Sequence, residues 1–392
     1  MSIQDQYEAY PYPERDPRDE KSRLVVGSPS HPLEIDHILF GGRRDWSAGT
    51  RILVAGGGTG DALVQLAQIM TSAGRPYEIT YLDLSKASRK IAEARIKARG
   101  LKGVTFHTGS LLDAADYGPF DYIDCCGVLH HLPEPQQGFD ALAQALAPKG
   151  GIGLMVYAPY GRSGVYPLQE AFRALSVDMT TSERLTLAKS IYKTLPDGHP
   201  FKRNPHLVDH EASDAGFYDL LLHSQDQPFH FDRLIEMIEA SGLTFSGVPQ
   251  SALYELERFM PDQQNDLSDI GRMALAEKLD GTLKTHIVYA SRDAAPKFDG
   301  TSVPHLKGLN SKALAHKVAA DGKIDVTLNG TKHMVTLPKG SAPILARING
   351  RKSLDELRFA CRLDALAWNT LWQPTQRELS RFGLLLFSRL LT

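Results

Sequence analysis

Three cysteines, Cys125, Cys126 and Cys361, are too few for a disulfide framework in 392 residues, which excludes the small stapled scaffolds of secreted proteins. No apolar run reaches the ~18 residues that a membrane span requires. The longest candidate, residues 383–391, is interrupted by Ser388 and Arg389. The start, MSIQDQYEAYPYPERDPRDE, lacks the charged-then-apolar order of a secretory leader, so a cytoplasmic, reduced protein is the expectation. Neither sign of charge dominates: 44 Lys and Arg stand against 46 Asp and Glu, a formal net charge of -2. A global basic field to hold a nucleic-acid backbone or an anionic membrane is therefore missing, although a local basic patch is compatible with these numbers. What is present is ordinary globular composition, 42% hydrophobic and 23% charged, with room for two or three domains.

Residues 1–46 carry Pro11, Pro13, Pro17, Pro29 and Pro32 among tyrosines and charges with little periodicity, and read as an arm. From Arg51 the texture changes. The apolar run Ile52-Leu53-Val54-Ala55 stops at glycines, and Ala62, Leu63, Leu66, Ala67, Ile69 and Met70 follow at helical spacing. Strand and helix then alternate through residues 79–82, 86–99, 104–106, 122–126, 136–147 and 152–157, which implies a parallel sheet covered on both faces. The alternation lapses over about 160–228, an inserted helical region of the kind that carries specificity, and resumes with an amphipathic helix over 231–240 and two late strands. After a linker-like stretch near residues 293–296, two alternating runs flank Asn329-Gly330, the strongest short hairpin signal. The reading is an α/β core domain over 47–295 and a small, separate α+β module over 296–392, loosely winged-helix-like in the stretch 337–354.

Chemistry begins at Gly56-Gly57-Gly58-Thr59-Gly60-Asp61, the turn between first strand and first helix. Glycines there let a backbone approach a ligand and leave a helix N-terminus facing it. Asp83 ends the second strand about twenty residues later, where a carboxylate can bind ribose hydroxyls.

In order, AGGGTGD, YLDLS, TGSLLD, FDYIDCCGVLHHL and LAPKGGIGLMVY resemble the class I S-adenosylmethionine-dependent methyltransferases, over about residues 50–160 and more loosely to 291. The resemblance implies a doubly wound, seven-stranded, mostly parallel Rossmann-like sheet, a methyltransferase activity, and S-adenosyl-L-methionine as cofactor with S-adenosyl-L-homocysteine as product. It implies that Gly56, Gly57, Gly58, Thr59, Gly60 and Asp61 lie beneath the methionine part of the cofactor. Asp83, with Leu84 and Ser85, would meet the ribose and one face of the adenine. Gly109, Ser110 and Leu111 would meet the adenine edge and its other face, and the backbone of Cys126 and Gly127 the amino group. Enzymes that use dinucleotides share the glycine turn and the acid but not a Gly-Val-Leu-His-His-Leu segment after the fourth strand.

Methyl transfer needs an aligned nucleophile more than covalent help, and a base is optional. His130 and His131 fall just past the fourth strand and are the candidate proton acceptors, with Tyr160 a further candidate for catalysis. Tyr157 and Arg162 follow the fifth strand and suit an acceptor wall or a carboxylate. Tyr7, Tyr10 and Tyr12 of the arm are candidate lid residues. Asp209, His210, His223, Asp226 and His230 match no tight zinc spacing, so no metal is expected. Expected partners are a small-molecule acceptor at N, O or S, or a protein target docked by the C-terminal module. Nucleic acid and membrane are not expected, and a homodimer stays open. The rival from another class is a non-catalytic, cofactor-binding regulatory module.

Overall fold

The computed structural model of the chain describes residues 3–261 and 266–392. A short helix α1 (Ile3–Ala9) and an extended run lead to α2 (Pro32–Phe40). The core then alternates: β1 (Arg51–Ala55), α3 (Asp61–Ser72), β2 (Glu78–Asp83), α4 (Lys86–Ala98), β3 (Val104–Thr108), β4 (Phe120–Cys126), α5 (Pro135–Gln144) and β5 (Leu146–Tyr157). Helices α6 (Val165–Leu175), α7 (Thr181–Thr194), α8 (Asp209–Ala212) and α9 (Asp214–Leu221) are inserted before α10 (Phe231–Ala240), β6 (Thr244–Gly247), α11 (Asp269–Asp280) and β7 (Thr285–Ser291). The seven strands lie in the order β3-β2-β1-β4-β5-β7-β6. β1 to β5 pair in parallel, while β7 runs antiparallel to both β5 and β6.

Both faces of the sheet are covered, which is why its central strands are nearly continuous apolar runs rather than alternating ones. Leu53, Ala55, Ile123 and Cys125 pack with α5 and α10, whereas Ile52, Val54, Tyr81 and Tyr122 pack with α2, α3 and α4. Strand order reverses between β1 and its two neighbours, so the glycine turn sits at a switch point, where such sheets open a crevice at their carboxyl ends. The inserted helices bury Val165, Phe172, Phe217 and Leu221 in a cluster of their own beside that crevice.

The stretch 1–46 is not one arm, which corrects the sequence reading. Pro32 at the first turn of α2 is preceded by His31, whose Nδ1 accepts from Leu33 N at 3.2 Å, and α2 buries Ile35, Ile38 and Leu39 against the sheet. The periodicity was short enough to be masked by the surrounding prolines.

Beyond residue 300 come β8 (Pro304–Leu306), α12 (Ser311–Asp321), β9 (Lys323–Leu328), β10 (Thr331–Thr336), α13 (Ala342–Leu345), α14 (Leu354–Ala360), α15 (Ala365–Arg381) and β11 (Leu385–Phe387). Asn329 and Gly330 both take left-handed φ, 47° and 77°, which closes the β9–β10 hairpin. This segment has its own apolar cluster around Val318, Leu345, Trp372 and Leu379. Its last strand is nonetheless sewn to α2. The buried Asp36 carboxylate accepts from Ser388 Oγ at 2.7 Å, Arg389 N at 2.9 Å, Trp46 Nε1 at 2.9 Å and Arg44 N at 3.0 Å. Phe387 N donates to His37 Nδ1 at 3.1 Å, and Lys307 pairs with Glu34. A module detached from the core domain is therefore not what the structure contains.

Candidate active site

At the end of β1, Gly56, Gly58 and Gly60 adopt φ of 66°, 51° and 98°, a region side chains strongly disfavour. A Cβ on Gly56 would fall 2.3 Å from Val128 Cγ2, and one on Gly57 2.3 Å from the Tyr81 ring, so the turn fits only without side chains. Gly60 gives α3 no side-chain cap, which leaves the first amides of this helix of 12 residues for a polar group. Asp83 closes the other side. Its Oδ2 accepts from Gly58 N at 2.7 Å and its Oδ1 from Ser85 N at 2.8 Å, leaving each oxygen a second lone pair. Burial pushes this carboxyl above its ordinary range, and the two amides act in the opposite direction.

Around this pair, several expected contacts are committed elsewhere. Thr59 Oγ1 donates to Pro13 O at 2.6 Å, and Ser85 Oγ donates to Tyr7 O at 3.1 Å while capping α4. Asp61 is held by Arg15 Nη2 at 2.6 Å and Arg95 Nη1 at 2.7 Å, its carboxyl lowered by these cations against its burial. These three side chains fasten the arm rather than reaching into the crevice. Gly109 N bonds Asp83 O at 2.9 Å, and Ser110 Oγ accepts from Leu112 N at 3.1 Å. Leu111 is buried in the core, Leu84 is exposed, and Gly127, with φ 81°, bonds Met155 O at 3.0 Å beside Cys126.

The arm runs along the loop as a strip. Glu8 accepts from the first amides of α4, Lys86 N and Ala87 N, and Tyr12 O lies 3.0 Å from where a Gly58 Cβ would stand. Tyr10 stacks on Tyr218 of α9 with centroids 5.0 Å apart, so it staples the arm to the insertion.

Beyond β4 the chain makes one tight turn, Leu129–His131, which buries both histidines. His130 stacks on Tyr157 at 3.9 Å, and His131 stacks on His223 at 3.7 Å. His131 Nδ1 faces Gln225 O at 2.9 Å, so this nitrogen carries the proton of the neutral ring and Nε2 keeps a lone pair. His223 is oppositely protonated: its Nδ1 accepts from Gln225 N at 3.1 Å, and its Nε2–H meets the Tyr7 hydroxyl at 3.2 Å. Asp219 accepts from Tyr7 Oη at 3.0 Å and Tyr157 Oη at 3.2 Å. Burial drives the His130 and His223 rings well below the usual imidazole range and raises the Asp219 carboxyl, which the neighbouring His131 pulls back down.

One expectation is corrected here. Arg162 is no free clamp for a carboxylate: it is buried, 3.6 Å over the Tyr157 ring, and paired with Asp226 at 3.0 Å. The structure also places Tyr160 against His230, ring centroids 5.3 Å apart. Asp219, Gln225 and Gln169, which donates to Asp226 Oδ2 at 3.0 Å, were missed. A single Asp inside the apolar stretch FYDLLLH was the available signal for Asp219.

Ligand atoms of His130, His131 and Asp226, and of His131, Asp219 and His223, come within 4.8 Å of one another. The tautomers argue against a metal here. His130 Nδ1 accepts from Tyr157 N at 3.3 Å, so in His130 as in His223 the remaining Nε2 bears hydrogen, and of the three histidines only His131 offers a lone pair, one imidazole short of either full set. His130 Nε2 and Asp226 Oδ1 have no partner among the described residues.

A family model described as a methyltransferase domain matches residues 53–152. An uncharacterised protein of Synechococcus sp. is 31% identical over 305 residues, 75% of this chain and 72% of its own length. The chain belongs to the class I S-adenosylmethionine-dependent methyltransferases. A ubiquinone biosynthesis O-methyltransferase of Aromatoleum aromaticum is 32% identical over 123 residues, 31% of this methyltransferase and 49% of its own length. PKMT2 from Rickettsia typhi shares the fold of nearly the whole chain, with a TM-score of 0.64 at 16% identity over 94% of this chain and 77% of its own. The same protein in complex with AdoHcy gives 0.59 at 15%, over 92% and 76%.

The residues present fit the cofactor of this family. A side-chain-free turn, an uncapped helix start and a buried carboxylate with spare lone pairs suit a polar amino-acid tail and a ribose diol.

Proposed function

We propose that this methyltransferase acts on a nitrogen or oxygen nucleophile of a small molecule, with His131 as the group that takes its proton. Glycines 56–60 and Asp83 would hold the cofactor. When bound, S-adenosylmethionine supplies a methyl group on a cationic sulfur, which keeps the bonding pair as the acceptor's lone pair forms the new bond. The observation that carries the reading is the ring of His131: with its Nδ1–H directed to Gln225 O, Nε2 is left as a base in a buried wall of Tyr157, His223 and Asp219. Asp219, close to that ring, would stabilise the imidazolium formed as the acceptor loses its proton.

A protein target is the second reading, favoured by Phe359 and Leu366 at the α14–α15 corner, which are 87% and 79% exposed. The test is S-adenosylhomocysteine formation with a panel of primary amines, hydroxy compounds and unfolded proteins, for wild type and His131→Ala. Turnover is expected to fall by roughly 10²–10⁴ while cofactor affinity stays within about threefold. Equal rates would refute His131 as base, and turnover with proteins alone would favour the second reading.

A further inference from the structure

The arm does more than cover the cofactor loop. Its backbone and charged groups are fastened to loop elements in sequence: Tyr7 O to Ser85, Glu8 to the start of α4, Pro13 O to Thr59, and Arg15 to Asp61. The Tyr7 side chain leaves this strip and enters the acceptor cluster on the far side of the crevice. There its hydroxyl gives its proton to Asp219 Oδ1 at 3.0 Å and receives that of His223 Nε2 at 3.2 Å.

The two stacked imidazoles are set by one residue from opposite sides. Gln225 O takes the Nδ1–H of His131, and Gln225 N donates to Nδ1 of His223. This leaves His223 Nε2–H and Asp219 Oδ1 as the groups that need the arm. Both residues are buried, so withdrawing Tyr7 would leave a donor and a carboxylate oxygen without that partner in a low-dielectric wall. The ring that packs on His131 would then be held by Gln225 N alone and free to turn about that bond, and the base would lose a fixed neighbour.

We propose that Tyr7 is a positioning residue for His131, so that the acceptor site is complete only when the arm is seated on the cofactor loop. The proposal rests on the reading of His131 as base. It makes cofactor binding and orientation of the base one event: the same seven-residue helix α1 carries the contacts to Ser85 and α4 and the hydroxyl that holds Asp219 and His223.

The test uses the full chain saturated with S-adenosylhomocysteine, in wild type and Tyr7→Phe, which removes one oxygen and keeps the ring. Long-range proton–nitrogen NMR spectra report the tautomer of each histidine. Wild type is expected to show a single Nδ1–H form for His131 and a single Nε2–H form for His223. In the variant His223 keeps its Nε2–H form, held by Gln225 N, but its Nε2 signal should shift and broaden as that proton loses its partner, with turnover down by roughly 10–100-fold through misplacement and affinity for S-adenosylhomocysteine within about threefold. Tyr7→Trp, which keeps a ring N–H but moves the donor, should fail to restore the wild-type spectrum. A Tyr7→Phe enzyme with a wild-type His223 Nε2 signal and wild-type turnover would overturn the proposal. If instead His131→Ala turns over normally while Tyr7→Phe alters the His223 spectrum, the reading of the base fails and the placement of Tyr7 survives.

Discussion

Replacing Asp83 with Ala tests the part of the crevice proposed to hold the ribose of the cofactor. In the free protein its two oxygens already hold Gly58 N at 2.7 Å and Ser85 N at 2.8 Å, so the carboxylate fixes the glycine turn and the start of α4 as well as offering lone pairs to a diol. Hydrogen bonds to a charged group contribute about 1.5–3 kcal/mol each. These values are already net of exchange with water, so two bonds to the ribose sum to about 3–6 kcal/mol, roughly 10²- to 10⁴-fold in Kd. Asp83→Asn separates the contributions: it keeps an acceptor for one hydroxyl but loses the charge, and should fall between wild type and Ala. Titration calorimetry with S-adenosylhomocysteine measures all three proteins directly. A loss below about threefold in the Ala variant, with the fold intact by circular dichroism, would refute the assignment of Asp83 to the ribose and with it the placement of the cofactor over the β1–β2 edge.

Asp36→Ala should cost about 3–5 kcal/mol in urea unfolding, because it strands donors from Trp46, Ser388, Arg389 and Arg44 in the interior; a loss under about 1 kcal/mol would show that the carboxylate is not the tie it looks to be. For the same reason a chain cut after residue 295 should aggregate, and a soluble, monomeric product that binds S-adenosylhomocysteine would contradict this account. Burial holds His31 and His37 down to about 4, against about 6.5 in the unfolded chain, so their contribution is full above pH 6.5 and is lost as pH falls toward 4, at about 1.4 kcal/mol per unit and group. Asp124, pushed up by burial to about 7, works in the opposite direction as it takes up its proton, so global stability is a poor probe. The local one is Phe387 N, whose bond to His37 Nδ1 must break when that ring is protonated; its amide nitrogen shift should titrate near pH 4, and no titration above pH 3 would refute the link.

The sheet and the pairing of the glycine turn with Asp83 were legible because both are local patterns. The apolar run at 52–55, the turn at 56–60 and Asp83 are each read within a few residues, and the order of the remaining strands follows from right-handed crossovers. Asn329-Gly330 announced its hairpin for the same reason. The buried cluster of His131, His223 and Asp219 is a different case. His131 meets Gln225 O across 94 residues and Tyr7 meets Asp219 across 212, separations that only the tertiary fold determines. Charged residues misled most where pairing was invisible: Arg162 looked available until Asp226 was placed beside it, and Asp61 looked free for a ligand until Arg15 and Arg95 took both oxygens. Proline-rich texture hid α2, whose role depends on partners at the opposite end of the described chain.

The bond between Asp36 and Ser388 spans 352 residues of sequence. A ribosome adding about 5–20 residues per second needs roughly 18–70 s to produce the second partner after the first. During that interval the nascent sheet can pair β1 to β7, but α2 carries a carboxylate without its later donors and a face that β11 has yet to cover. The early chain is thus a client for chaperones until its final strand arrives, and substitutions in residues 385–390 should reveal themselves first as lower yield in the cell rather than as altered catalysis by the molecules that do fold.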